Sequence, residues 1–425
     1  MDLLDIGMMV LRIALMLLIV LQTLPLLIWM ERKASAYMQD RRGPTYAHAG
    51  PVRMFGMVHT LTDVVKLIGK EDVTPQAAYK PFHFLAPAIA MSVALVTFAV
   101  IPYAGTVQIG ERAFPMQVAQ LDVGILYILA IASLGVYAVI LASWASNNKY
   151  TMFGGLRASA QIISYELVMA LCLLALIMVN GSLRLDQIVT HQGSAPWNWG
   201  VVVQPIAAIL FVVCAFAETN RNPFDLPEGE SEIVAGFHIE YSSLRFALFF
   251  MAEYAHMIVA SAIITSLFFG GYKIPFVESA TLVSSASPIL TGLLWVTLIG
   301  GSLMGAFFSF LFVRGNERGG KDIDAAVLAV VAGFGPAAAA ALVLLLTGFS
   351  PELGATGASI FASVLQLLAF MAKTIFFCFL FIWVRWTLPR FRYDQLMTVG
   401  WKYMLPLALL NVLVTGLILY GKDVG

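Results

Sequence analysis

Long apolar stretches separated by short polar ones run the length of this chain. The first covers about residues 8–30, with Arg12 and Pro25 inside it, and ends at Glu31-Arg32-Lys33. Others follow at about 82–104, 121–143, 161–180, 200–217 and 244–270. Residues 287–313 and 324–347 form an Ala/Gly/Leu-rich pair joined by the turn RGNERGGKDID. A weakly polar linker then leads to 357–386 and 403–420. Each stretch approaches the roughly 20 residues that a helix needs to cross a bilayer. Inside lipid only helices and closed barrels satisfy their own backbone groups. The pattern predicts an all-α, polytopic transmembrane helix bundle of about ten spans.

One polar segment carries a different period. Between Pro51 and Lys70, Met54, Val58, Leu61, Val65 and Ile68 share one helical face, and His59, Asp63, Lys66 and Lys70 share the other. That spacing predicts an amphipathic helix lying along the membrane surface. The same helix can also serve as a lid on the bundle, and the two readings are compatible.

Composition agrees with the pattern: 60% of residues are apolar and 12% charged, against about 25% charged in soluble domains. Net charge is zero, and the basic residues sit in inter-helix loops rather than in a patch, so no nucleic acid is expected as a partner. Cys172, Cys214 and Cys378 lie in separate apolar runs without CxxC spacing, which excludes a disulfide framework or a metal cluster. The N-terminus MDLLDIGMMV has acids where a signal peptide has lysines, so its apolar run reads as a retained span.

Charge also orients the spans. Of the 25 Lys and Arg residues, nineteen fall on the side that follows the first span, among them Arg32, Arg42, Lys66, Arg157, Arg221 and Arg390. Arg112, Arg184, Lys273 and Lys422 fall on the other. The positive-inside rule makes the first side cytoplasmic and places both termini outside.

Against that background residues 218–241, ETNRNPFDLPEGESEIVAGFHIEY, stand out. This loop between two spans carries Glu218, Asp225, Glu228, Glu230, Glu232 and Glu240, and its only basic side chain besides His238 is Arg221. Acids contribute little to topology, so the excess suggests protonatable groups held at the membrane face. The plain alternative is an acidic, solvated loop.

No GxGxxG, P-loop or HExxH motif occurs, nor any cluster of Cys and His. A complete catalytic site on this chain is not expected, and neither is a bound metal or cofactor. What remains are carboxylates at membrane depth. Glu166 reads as about five residues into its span and Glu218 as closing the next. Glu253 lies about ten residues into the following one, roughly 15 Å along a helix axis. His256 stands three residues beyond it, on the same face. A carboxylate at such depth is costly unless paired, hydrated or protonated. The three acids therefore read either as a proton or ion path or as structural partners of neighbouring cations.

Several strings together carry a resemblance. They are Glu31-Arg32-Lys33, Arg42-Gly43-Pro44, Asp63, Lys66, Lys70-Glu71-Asp72, Ile163-Ser164-Tyr165-Glu166 and Ala217-Glu218-Thr219-Asn220-Arg221. Pro223-Phe224-Asp225-Leu226-Pro227-Glu228, Glu240-Tyr241-Ser242, Ala252-Glu253-Tyr254, Trp383-Val384-Arg385 and Pro389-Arg390 complete the set. They resemble the NuoH family, the membrane H subunits of respiratory complex I, the proton-pumping NADH:quinone oxidoreductases. The resemblance covers about 1–275 and 360–425.

It implies a bacterial inner-membrane subunit that forms much of the ubiquinone entrance tunnel and part of the quinone cavity. FMN and iron–sulfur clusters would sit on partner subunits of the hydrophilic arm, and small and antiporter-like subunits would adjoin it in the lipid. On this resemblance Glu31, Arg32, Lys33, Arg42, Asp63, Lys66, Arg221, Phe224, Asp225, Glu228, Glu230 and Glu232 match tunnel or cavity positions. Glu166, Glu218, Glu240 and Glu253 match proton-coupling positions.

Residues 281–356 have no counterpart in the usual eight-span family. They read as an inserted hairpin and linker between a main bundle, 1–280, and a C-terminal pair of spans, 357–425. Gly301 and Gly305 supply one GxxxG packing signal there. Thr45, His59, Ile239 and Ser243 depart from common family residues, the last standing where glycine is frequent. Two other readings stay open: the equivalent subunit of a hydrogenase-type or ferredoxin-driven complex, and a stand-alone secondary ion transporter. The latter would want internal inverted repeats, and none is visible.

Overall fold

The computed structural model describes residues 2–48, 54–227, 229–317, 326–327, 329–347 and 351–424. Among them nine helices are long and apolar enough to cross a membrane. The tenth expected span, at 200–217, is shorter. In chain order the helices are α1 (Leu3–Met38), α2 (Val58–Gly69), α3 (Lys80–Phe98), α4 (Gly124–Ala145), α5 (Lys149–Asn180) and α6 (Leu185–Gln192). They continue with α7 (Pro205–Glu218), α8 (Ser243–Phe268), α9 (Ala286–Glu317), α10 (Gly335–Leu346, entered through the π-helical turn Ala329–Phe334 with which it forms one span), α11 (Ala355–Thr387) and α12 (Leu405–Val424). A small antiparallel hairpin, β1 (Thr106–Ile109) and β2 (Arg112–Pro115), caps one end, with Val107 opposite Phe114.

Three boundaries differ from hydropathy for identifiable reasons. α1 does not stop at Glu31 but continues through Arg32 and Lys33 to Met38, because the charged turn has partners, described below. α5 begins twelve residues before its apolar run, at Lys149, where the Asn148 side chain caps the Tyr150 N–H at 2.9 Å. The span expected at 200–217 is broken at Gln204, since Pro205 lacks an N–H and pushes its predecessor out of helical geometry. The Gln204 side chain turns to α12 instead, donating to Thr415 at 3.0 Å and accepting from Asn411 at 3.1 Å. The remaining 14 residues of α7 reach only about 21 Å.

Polar contacts sort the loops onto two faces, with the same partition as the charge count. On one face Arg112 pairs with Asp2 and Asp5, Arg184 with Asp122, and Ser359 donates to Gln108. On the other the Tyr79 N–H donates to Ala145, Val73 to the Ser242 hydroxyl, and Phe391 to Pro223.

The amphipathic segment is described from residue 54, and residues 51–53 lie outside the described residues. Its α-helix proper begins at Val58. Leu61, Val64, Val65 and Ile68 are exposed, 51–70% each, as a lipid-facing stripe requires. Val58 departs from the expected stripe: it is 6% exposed and turned into the bundle. Thr60, Asp63, Lys66 and Leu67 face α1 and α8, so the helix is at once a surface element and a lid.

Of the glycine pair in 281–356, a methyl on Gly301 would meet the Gly333 carbonyl at 2.8 Å, and one on Gly305 would meet Phe334 at 2.9 Å. The GxxxG spacing therefore marks a real close approach between α9 and the turn that leads into α10.

Candidate functional site

The acidic loop folds back onto the bundle instead of standing in solvent. Gln161 on α5 donates to the Ala217 and Phe224 carbonyls at 2.8 and 2.9 Å and to the Asn220 side chain at 3.2 Å. A Cβ at Gly154 would lie 2.7 Å from Gly236, so only glycine lets the loop cross α5 there. Phe224 is buried edge-on to Tyr165, 5.5 Å between ring centres, and the Asp225 carboxylate accepts from Arg390 at 2.6 Å.

This path drives Arg221 into the bundle, where it is 1% exposed. Its guanidinium reaches Glu31 on α1 at 3.1 Å and Glu253 on α8 at 2.7 Å. It also lies over the Tyr254 ring at 4.3 Å. Glu31 is shared further: Tyr254 donates to it at 2.6 Å and Arg385, in the last turn of α11, at 2.7 Å. Burial opposes the Arg221 charge, but Glu253, Glu31 and Tyr254 outweigh it and hold the guanidinium above the usual arginine range. The loop's single arginine is thus a hub for three helices. Glu253 is thus paired with a cation of the loop, and its place on the bundle interior has to be read together with the space beside it.

Glu253 also borders a cavity of about 230 Å³. Glu218, His256, Arg385 and His238 line it together with Phe246, Phe249 and Phe250. Burial pushes the His238 imidazole, on the loop, down to about 4. A second cavity of about 30 Å³ adjoins it, with Glu218 and His256 on its wall and Glu166 across from them. Such a space has room for about one water. The Glu166 carboxylate accepts from the Ser133 hydroxyl. Three of the four proton-coupling candidates therefore lie on two adjoining cavities. Glu240 does not: it accepts from Asn148 at 2.6 Å, at the end of the loop.

A third cavity, about 490 Å³, opens between α1, α2 and α8. Its wall carries Ile28, Val64, Leu67 and Met251 beside Arg32, Asp63 and Lys66. Arg32 and Asp63 pair at 2.6 Å across it. Phe246 and Phe250, near-parallel with ring centres 6.3 Å apart, belong to the wall of this cavity and also to that of the carboxylate cavity. They partition one from the other. Lys33 donates to the Arg42 carbonyl at 2.9 Å, and Arg42 lines a basic recess of about 880 Å³ with Arg41 and His48.

Glu232 sits apart, paired with Arg157 at 2.6 Å. Glu228 lies outside the described residues, as does the side chain of Glu230.

Several contributors escape a reading of the sequence. Arg385 and Arg390 stand out there only as matched letters, although both follow directly on an apolar run, where a cation meets a polar face. Arg245 holds Asp72 through two bonds of 2.9 and 2.7 Å and bonds Nδ1 of His83 at 2.8 Å. His83 in turn stacks on Tyr241 with ring centres 4.0 Å apart. That knot ties the segment after α2 to the end of the acidic loop. Ser243, the residue in place of a common glycine, has φ +52° and donates to the Leu67 carbonyl at 2.9 Å, reinforcing the same tie. Among the described residues no group of His, Cys, Asp and Glu is arranged to hold a metal ion.

A family model described as NADH dehydrogenase matches residues 11–416. A protein of Solibacter usitatus, named as an H subunit of NADH-quinone oxidoreductase, is 43% identical over 403 residues, 94% of this chain and 93% of its own. A Rhodothermus marinus protein, named as subunit 8 of the same kind of enzyme, is 41% identical over 399 residues, 93% of each chain. The H subunit of the NADH-quinone oxidoreductase of Bdellovibrio bacteriovorus is 39% identical over 444 residues, 99% of this chain and 98% of its own.

Proposed function

The chain belongs to the NADH dehydrogenase family and is a membrane subunit of an NADH-quinone oxidoreductase, and from that premise we propose that it admits the quinone from lipid and couples its reduction to proton movement. The quinone tail enters through the cavity between α1, α2 and α8, whose apolar wall suits an isoprenoid chain and whose Arg32, Asp63 and Lys66 suit a polar head. Reduction takes place against a partner subunit's iron–sulfur cluster, since the sequence carries no motif for a redox cofactor of its own. The acidic loop carries the event inward, because Arg221 is bonded at once to Glu31 near the entrance and to Glu253 at the carboxylate cavity. Glu218 and Glu166 continue the line. The basic face is cytoplasmic and both termini are periplasmic in a bacterial inner membrane.

The observation that carries this reading is the unbroken sequence from the Glu31–Arg221–Glu253 cluster to two adjoining cavities holding Glu218 and Glu166. A structural cluster alone would account for the ion pairs but not for the cavities beyond them. No observation favours the hydrogenase-type or transporter readings. The test is Glu253→Gln and Glu218→Gln in the assembled complex. Both variants should assemble at normal abundance on a native gel and oxidise NADH normally with a water-soluble acceptor, while coupled quinone reduction falls about tenfold or more. Undiminished quinone reduction in both would overturn the proton-path reading.

A further inference from the structure

The two carboxylate cavities share four lining residues: Ala132 on α4, Glu218 and Thr219 at the end of α7, and His256 on α8. These four form the neck between them. Glu253 borders only the larger cavity and Glu166 only the smaller. A proton passing between those acids must cross the neck, where Glu218 and His256 are the shared residues with ionisable side chains. The hydrogen bond of His256 is to the backbone of Ala90 on α3. One ring nitrogen is thereby committed, and the residue lies on the wall of both cavities.

We propose that His256 is a proton-relay residue that passes protons between the larger and the smaller carboxylate cavity beside Glu218. The inference rests on the proton-path reading above and extends it to a base at the narrowest point. The free nitrogen takes a proton from a carboxyl group or water of the larger cavity, becoming imidazolium and leaving a carboxylate or hydroxide behind. It then gives that proton to the Glu166 carboxylate or a water of the smaller cavity and returns to the neutral ring. One O–H bond breaks as the N–H bond forms, a new O–H bond forms as the N–H bond breaks, and the Glu218 carboxylate beside it balances the transient charge.

The groups that face His256 suit this role. Glu218 comes from α7, Glu166 from α5, Glu253 from one turn earlier on α8, Arg385 from α11 and His238 from the loop. The residues that α3 and α4 contribute to the two cavities, Ala90, Ala132 and Gly135 among them, carry no ionisable group. A packing residue here would need no second nitrogen and no place on both cavities.

The test uses the assembled complex in membranes. His256→Asn keeps a polar group for Ala90 and removes the titratable ring, and His256→Gln does the same with a longer reach. Both variants are expected at normal abundance with unchanged NADH oxidation by a water-soluble acceptor. Quinone reduction should fall about tenfold, with a changed pH profile, and added imidazole should restore part of the activity of His256→Ala. Wild-type turnover and pH profile in His256→Asn would overturn the inference, as would loss of the assembled complex in both variants, which would make His256 a packing residue. Glu218→Gln is run alongside. If it is slow while His256→Asn is normal, only the role of His256 falls. If both are normal, the carboxylate path falls with it.

Discussion

Two helical regions of this protein are held together by opposite means. Around α8, 72% of the most apolar window is buried, and the interior includes Arg221, Glu31 and Arg245. In α9 the corresponding window is 6% buried, and its contact with the next helix is made by Gly301, Gly305 and Gly333. The first region offsets buried charge with partners from three or four elements. The second buries almost nothing and relies on backbones coming close, as helices do when lipid removes the hydrophobic drive to associate. Removing Arg221 from the first therefore strands two buried carboxylates, whereas the second is sensitive to volume alone. That contrast separates the part of the molecule to which the proposed proton path belongs from the part that packs.

The largest effect should follow Arg221→Met. It leaves Glu31 and Glu253 buried with Arg385 as the remaining ion-pair partner of Glu31 among the described residues, at a cost of about 3–5 kcal/mol for the orphaned charge. Loss of assembled complex on a native gel is expected. Arg221→Lys should rescue only partly, since one ammonium cannot reproduce the guanidinium's separate contacts to Glu31 and Glu253. Normal abundance in Arg221→Met would mean that α8 is held by apolar burial, as ordinary core helices are, and the contrast would fail.

The next effect concerns the wall inside the charged region. Phe246→Ala with Phe250→Ala should join the lipid-side cavity to the carboxylate cavity. Quinone reduction should persist within about threefold, while protons moved per electron drop, because water then reaches the acids from the wrong side. Proton uptake into vesicles, read against quinone reduction, measures it. An unchanged ratio would show that the two rings only fill space.

The limits of the sequence follow the same divide. Spans are legible because lipid imposes one rule on all of them, and even the packing of the glycine pair can be read from its spacing. The charged region is legible only as an inventory. Arg221, Glu31 and Glu253 each stand out, yet nothing in the sequence pairs residues 190 positions apart. The continuation of α1 beyond Glu31 and the early start of α5 escape hydropathy for the same reason. Helix outside lipid is decided by caps and tertiary partners. Val58 falls on the wrong side because a wheel at 100° per residue assumes that the helix lies flat along its whole length.

α2 stands between the two regimes, with an outward stripe like the hairpin and inward charges like α8. Leu61→Asp puts a charge on the stripe without touching Asp63 or Lys66 on the cavity wall. A loosened α2 should slow long-tailed quinones by about threefold while short, water-soluble analogues are little affected, a difference of under about 1 kcal/mol in the barrier. Equal losses for both would assign α2 to structure alone.

The smallest effect, and the sharpest on the hairpin, comes from two neighbouring glycines. Gly300 has nothing within 4 Å of where a Cβ would stand, whereas the Cβ of Gly301 would meet the Gly333 carbonyl at 2.8 Å. Gly300→Ala should therefore be neutral or slightly stabilising, through the better helix propensity of alanine. Gly301→Ala adds the same methyl group one residue later and must push the two backbones apart, at about 1 kcal/mol. Neither change should alter quinone reduction, since the charged clusters and carboxylate cavities lie away from this contact. Hydrogen exchange in peptides covering 329–346 reads the difference: about fivefold faster in Gly301→Ala than in the parent, and unchanged in Gly300→Ala. Equal exchange in both variants would mean that the hairpin is held by something other than its glycines. A loss of quinone reduction in Gly301→Ala would tie the packing region to the chemical one and dissolve the distinction between them.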